Sequence, residues 1–297
     1  MTWQSIYSRP GRWLKGNLHT HTTQSDGQLT PEQAAIWYRD QGYDFMAISD
    51  HWVHTSSLEV DGITTIAAAE LDGQGYHMLA LGLRSLPDRA QADDSQAMID
   101  HIVSEEGLAF IAHPYWTGQS SHEIAQLRGL QGIEVFNSVC DVTKGTGHSR
   151  VHWDDLLASG HQLLGLAVDD VHWRFGAPGR GFVLVRSEDA SDQGILAAIR
   201  EGACYSSMGP TISDLWLVPG SDACAPRLHV RTSPCRSIIF QASGPRGLRV
   251  DAQEDATIDT AAIEVKADQV YLRVECCDAL GRIAWSNPVY VQDLLNG

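Results

Sequence analysis

Along the first two hundred residues, short apolar runs alternate with amphipathic stretches. The runs at 13–19, 45–49, 63–69, 77–83, 108–112, 132–136, 163–168 and 181–185 have the length and aliphatic content of buried strands. Between them, residues 30–41, 96–106, 151–159 and 193–201 carry apolar side chains at helical spacing. The first of these opens Thr30-Pro31-Glu32, a capping residue followed by proline at the first helical position. Repeated strand–helix alternation predicts an α/β barrel or a doubly wound sheet. From about residue 211 only strands are expected, at 212–218, 228–232, 237–242, 263–267 and 270–276, separated by Gly, Pro and Asp. The chain therefore reads as an α/β domain over 1–208 followed by a small all-β, sandwich-like domain over 209–297.

Charge separates the same two regions and narrows the partners. Residues 1–205 hold 13 basic and 26 acidic side chains, and 206–297 hold 8 and 11. A formal charge of −16 repels a nucleic-acid backbone, which excludes affinity for long DNA or RNA. The six cysteines contain no C-x-x-C, so free, buried thiols are expected. The segment MTWQSIYSRPGRW has no apolar core of signal-peptide length, and no stretch approaches the roughly 20 apolar residues of a membrane span. A cytoplasmic protein without a membrane partner is the expectation.

Histidine changes the picture most: twelve of the 13 lie at or before His172. His19 and His21 end the first strand, and residues i and i+2 share one face, so both imidazoles can hold one cation. Asp170 and His172 repeat that geometry at the end of the seventh. Asp26, His51, Glu70, His77 and His113 also fall at strand ends. Strand ends of an α/β barrel converge on one face. Six histidines and three carboxylates aimed into one cavity would repel or desolvate one another without cations to organise them.

The runs Gly16-Asn17-Leu18-His19-Thr20-His21-Thr22, Ser25-Asp26-Gly27, Ile48-Ser49-Asp50-His51, Glu70, Tyr76-His77-Met78-Leu79, Ala112-His113-Pro114 and Asp169-Asp170-Val171-His172 resemble the polymerase and histidinol phosphatase (PHP) superfamily. The resemblance covers residues 14–205 and implies a distorted seven-stranded β/α barrel holding two or three divalent ions. Carried over motif by motif, it implies His19, His21, Glu70 and Asp170 for one metal. It implies Glu70, His77 and His113 for a second, and Asp26, His51 and His172 for a third. Glu70, His77, His113 and His172 are the residues it places closest to the chemistry. Two later motifs, residues 202–210 and 284–288, are similar to a branch with a following β domain that includes carbamate and aryl-ester hydrolases.

Ions sharing Glu70 would lower the pKa of a bound water and supply hydroxide, so a phosphoesterase acting on small phosphate mono- or diesters is expected. The alternatives are a metal-dependent hydrolase of carboxyl esters, carbamates or amides, and a metal-stabilised scaffold whose β domain binds a ligand. Mixed imidazole and carboxylate donors suit zinc, manganese or iron. Asp50 and Asp169, each beside a ligand, are candidates for orienting a histidine or a rim residue. Lys144, His148, Arg150 and Arg180 are candidate contacts to substrate anions. Trp52, Trp116 and Trp173 each follow a candidate ligand closely and predict an aromatic wall for a flat leaving group.

Overall fold

The computed structural model describes residues 3–176, 178–221 and 223–295. The first region runs β1 (Arg12–Asn17), α1 (Pro31–Asp40), β2 (Phe45–Ile48), β3 (Glu59–Val60), β4 (Ile63–Gly73), β5 (Tyr76–Leu81), α2 (Ser95–Ser104) and β6 (Leu108–Ile111). It continues with α3 (Pro114–Thr117), α4 (Ser121–Ile124), β7 (Leu130–Asn137), α5 (Ser138–Lys144), α6 (Arg150–Ala158), β8 (Leu164–Val168), β9 (Phe182–Ser187), α7 (Asp192–Arg200) and β10 (Cys204–Ser207). The second region holds β11 (Ile212–Val218), β12 (Arg227–Cys235), β13 (Ser237–Ala242), β14 (Leu248–Asp251), β15 (Ile258–Glu264), β16 (Tyr271–Cys277), β17 (Ile283–Ser286), β18 (Val289–Tyr290) and α8 (Val291–Leu295).

Every expected strand and helix of the first region is present within a few residues. Helix α1 starts at the predicted cap: the Thr30 side chain accepts from the Gln33 N–H, and Gln33 reciprocates in a capping box. Strands β2 and β6 are buried along their whole length, as continuous apolar runs require of strands covered on both faces. The pairs β1–β2, β2–β4, β6–β7 and β7–β8 are parallel, whereas β4–β5, β5–β6 and β1–β9 are antiparallel. Gly181 lets the chain entering β9 pass close to β8, since a Cβ there would stand 2.5 Å from the Val168 carbonyl oxygen.

The all-β unit is joined to the first region more closely than a domain merely packed beside it. Strand β10 pairs β9 on one edge and β17 on the other, so one continuous sheet runs from β8 through β1, β9, β10, β17 and β16 to β14. The motifs 202–210 and 284–288 meet here, with Ser206 opposite Trp285. Asn287 donates to the Cys204 carbonyl at 2.8 Å and accepts from the Gly165 N–H at 3.1 Å. A second sheet, β11-β12-β15, covers the continuation, and Leu215, Leu228 and Val230 pack with Ile238, Phe240 and Val274 in one core. Tyr7, buried, joins that core from the amino-terminal segment. The cysteines are free; four are buried, but Cys224, in a loop, is exposed and Cys277, at the end of β16, partly so. Among the described residues, no helix is long and apolar enough to cross a membrane.

Candidate metal centre

The site forms where strands continue past their regular ends. Beyond β1, Thr20 bridges Val171, the His21 N–H donates to the Val171 carbonyl at 3.0 Å, and the Asp170 N–H donates to the His19 carbonyl at 2.9 Å. The Ser49 N–H donates to the Thr20 carbonyl at 2.9 Å, and His51 bridges Glu70. Segments 19–21, 49–51, 70 and 170–172 thus lie side by side at one mouth. Among the described residues, four of the six non-glycine positions with positive φ belong to it: Trp52 (50°), His113 (28°), Asp170 (53°) and Trp173 (66°). Such backbone costs on the order of 1–3 kcal/mol per residue and persists where packing over-determines it.

Glu70, buried in the long strand β4, is the hub. Its Oε1 lies 2.7 Å from His77 Nδ1 and 3.0 Å from His113 Nε2. Its Oε2 lies 3.1 Å from both His19 Nε2 and His21 Nε2, and 3.4 Å from His51 Nδ1. Asp170 Oδ1 stands 3.0 Å from His21 Nε2 and 3.3 Å from His19 Nε2. Asp26 Oδ2 stands 3.2 Å from His172 Nε2, and Oδ1 3.6 Å from His21 Nδ1. All nine residues named from sequence are therefore gathered around one cavity.

Burial alone would raise Glu70, but His19 and the hydrogen bonds from His113, His19 and His21 outweigh it and hold the carboxyl well below its ordinary value. Asp170 is lowered in the same way, burial being overcome by His19, His21 and His113. The His172 contact pulls Asp26 down to about 2. Conversely, burial opposes the charge on His21, yet its hydrogen bonds with Asp170 and Glu70 prevail and raise it to about 9. A group raised to that value still holds its proton at neutral pH. A cation entering beside it must displace that proton, so metal affinity rises with pH from 7 toward 9. Titration calorimetry at pH 7 in buffers of different ionisation enthalpy is expected to show at least one proton released per chain; no release would contradict this reading.

The donors fit divalent ions on three counts. Their atoms form overlapping groups, each within 4.8 Å: His19, His21, Glu70 and Asp170; His21, Asp26, His51 and His172; His51, Glu70 and His77. Two imidazole nitrogens, Nε2 of His19 and of His21, face each other at 3.2 Å, a poor arrangement unless a shared cation lies between neighbouring donors. Buried His21 Nδ1 and His113 Nδ1 make no hydrogen bond.

The cavity at this mouth measures about 680 Å3. One wall is the donor cluster; the other is built from Val139, Val142 and Thr143 of α5, with Trp116 and Phe175 beside it. Lys144 lines it, as does Arg174, which the sequence reading did not single out. His148, Arg150 and Arg180 are not among the lining residues: His148 packs on Phe136, Arg150 pairs Glu275 at 2.9 Å, and Arg180 pairs Asp141 at 3.1 Å. The aromatic wall narrows likewise. Trp116 faces the cavity, but Trp52 is buried with its Nε1 on the Asp72 carbonyl, and Trp173 packs against Trp37 and Tyr38. Trp173 still serves the site, donating to the His21 carbonyl at 3.0 Å.

Asp50 and Asp169 hold loops rather than imidazoles. Asp50 accepts from the Thr22 N–H and hydroxyl and from the Ser25 N–H, fixing the turn that carries Asp26. Asp169 accepts from Tyr38 and from the N–H groups of Gly179, Arg180 and Gly181. The imidazole-orienting carboxylate is instead Glu134, absent from the sequence reading. Its Oε1 lies 2.6 Å from His19 Nδ1 and its Oε2 accepts from the His113 N–H at 2.8 Å. A charged residue inside the otherwise apolar run 133–136 was the available signal.

No protein-family model matches the chain, and no curated protein matches it in sequence. Among solved structures, it is similar to a two-domain protein from Bacteroides vulgatus containing a predicted PHP-like metal-dependent phosphoesterase. That likeness covers 90% of this chain and 91% of that one, with a TM-score of 0.53 and 14% identity. An amidohydrolase from Chromobacterium violaceum aligns over 53% of this chain and 87% of that one, with a TM-score of 0.38 and 16% identity, too low to carry an argument. The chain is PHP-like in fold, in keeping with its motifs; at this identity the likeness speaks to fold alone.

Proposed function

We propose that this chain is a metal-dependent phosphoesterase acting on small phosphate mono- or diesters. The observation that carries the reading is Glu70, whose two oxygens are divided between two sets of imidazoles under a cavity that also holds Lys144 and Arg174. In this reading β1, β2 and β4 to β8, returned on themselves at the Thr20–Val171 bridge, are the distorted seven-stranded barrel of residues 1–208, and 209–297 is the β domain. His19, His21, Glu70 and Asp170 hold one ion, Glu70, His77 and His113 a second, and Asp26, His51 and His172 a third.

Bound divalent ions supply Lewis acidity toward an ester oxygen and draw the pKa of water toward neutrality. The chain's own residues do the rest. Glu70 keeps the two donor sets in register. Lys144 and Arg174 bring positive charge to the rim of an acidic protein, where a phosphate dianion or monoanion is held against the donor wall. Val142, Phe175 and Trp116 take the organic part of the ester and keep water from that side. Trp116→Ala is expected to raise KM for an aryl phosphate about tenfold, the loss of roughly 1.4 kcal/mol of apolar contact, while a methyl ester of the same acid changes little. Equal changes on both esters would remove Trp116 from substrate binding.

A panel of p-nitrophenyl phosphate, bis-p-nitrophenyl phosphate and an aryl carbamate, assayed with manganese, zinc and iron, tests the proposal. Turnover of a phosphate ester above the carbamate supports it. Preference for the carbamate would move the activity to carboxyl-type esters on the same metals, and no turnover on any ester with metal bound would favour a scaffold role.

A further inference from the structure

Strand β7 carries an irregularity: Glu134 pairs Leu166, but Phe136 pairs the next residue, Ala167, so Val135 is an extra residue in the ladder. In a regular strand, residues three apart face opposite sides. The bulge brings Glu134 and Asn137 to the same side, and both reach the donor cluster. Asn137 Nδ2 donates to Glu134 Oε2 at 2.9 Å and to Asp170 Oδ2 at 3.0 Å. Its Oδ1 accepts from the Cys140 N–H at 3.0 Å, capping α5. That cap fixes which way the amide points, because the oxygen is committed to the helix and the nitrogen must face the carboxylates.

We propose that Glu134 and Asn137 are positioning residues that lock His19, His113 and Asp170 in the arrangement ready for metal, and tie that arrangement to the cavity wall formed by α5. This rests on the metal reading of the site. Glu134 is buried, and it meets His19 through Nδ1, the nitrogen turned away from Glu70. A carboxylate accepts only, so a proton stays on Nδ1, and Nε2, facing Glu70, His21 and Asp170, is the nitrogen that takes a cation in place of its own proton. Although His19, His113 and Glu134 lie close enough to hold an ion, both oxygens of Glu134 are engaged by donors of the protein, so it orients ligands rather than serving as one.

Glutamine at 134 is isosteric but cannot replace it. Three donors converge on the two oxygens, and an amide NH2 on either side meets a donor. One orientation opposes the His19 Nδ1–H and drives the proton to Nε2; the other opposes the His113 N–H and the Asn137 amide.

The test is calorimetric zinc titration of the metal-free protein, beside proton NMR of the zinc-loaded form. Glu134→Gln is expected to weaken zinc by about 10- to 100-fold, and to shift the His19 Nδ1–H resonance upfield, with the thermal transition of the metal-free protein retained. Asn137→Ser keeps a capping oxygen and loses the amide donor. It is expected to weaken zinc by a smaller factor, and it decides the matter if Glu134→Gln does not fold. Wild-type affinity and an unmoved resonance in these variants would overturn the inference while leaving the metal reading standing. Absence of zinc binding by the wild type would overturn both.

Discussion

Glu70→Gln is expected to abolish turnover, lowering kcat/KM on the best phosphate ester by about a thousandfold or more. Among the described residues, Glu70 is the one side chain in contact with His19, His21, His51, His77 and His113 together. An amide keeps the shape but removes a charge and turns one acceptor into a donor aimed at imidazole nitrogens. Losing the anion shared by two donor sets removes several kcal/mol of transition-state stabilisation, and about 4 kcal/mol is a thousandfold in rate. Single-turnover and steady-state assays with metal in excess check this, together with the metal content of the variant. A variant that keeps its metals and a tenth of its activity would show that Glu70 is not the shared ligand.

Stripping metal with a chelator is expected to remove activity and to lower the melting temperature by on the order of 10 °C, both restored by reloading. At free metal about a thousandfold above Kd, one site stabilises the fold by roughly 4 kcal/mol, and each kcal/mol moves Tm by about 2–4 °C in a chain of this size. The metal-free form has its own pH window. With folded values raised, His19 and His21 contribute stability that is fully present below the ordinary histidine value and lost as pH climbs through them, about 9 for His21. Glu70 and Asp170, with folded values depressed, contribute stability present above the ordinary carboxylate value and lost as pH falls. Chelated protein is therefore expected to soften toward pH 10 more than loaded protein, measured by thermal melts across pH. Identical profiles would sink the assignment of these imidazoles to metal.

The donor set was legible because its logic is local. A strand end with His at i and i+2 declares its face, and Glu70 closes an apolar run whose period needs no tertiary information. Glu134 and Asn137 depend on a bulge that exists only in the pairing of β7 with β8, and their three-residue spacing reads as opposed faces until that bulge is seen. Charges on loops were least legible. Arg150 finds its partner, Glu275, 125 positions away, and the Arg174 guanidinium at the cavity donates to the Asp26 carbonyl, 148 positions away. The union of the two regions was hidden for a similar reason: β10 and β17 are four residues each and gain their meaning by pairing with one another.

The proposed hydrolytic centre depends on Glu70 joining two donor sets. Elemental analysis of protein reconstituted with zinc, manganese or iron and freed of loosely bound ions tests it most directly. At least two divalent ions per chain are expected, with fewer in Glu70→Gln. Fewer than two in the wild type, or an unchanged number in the variant, would contradict it.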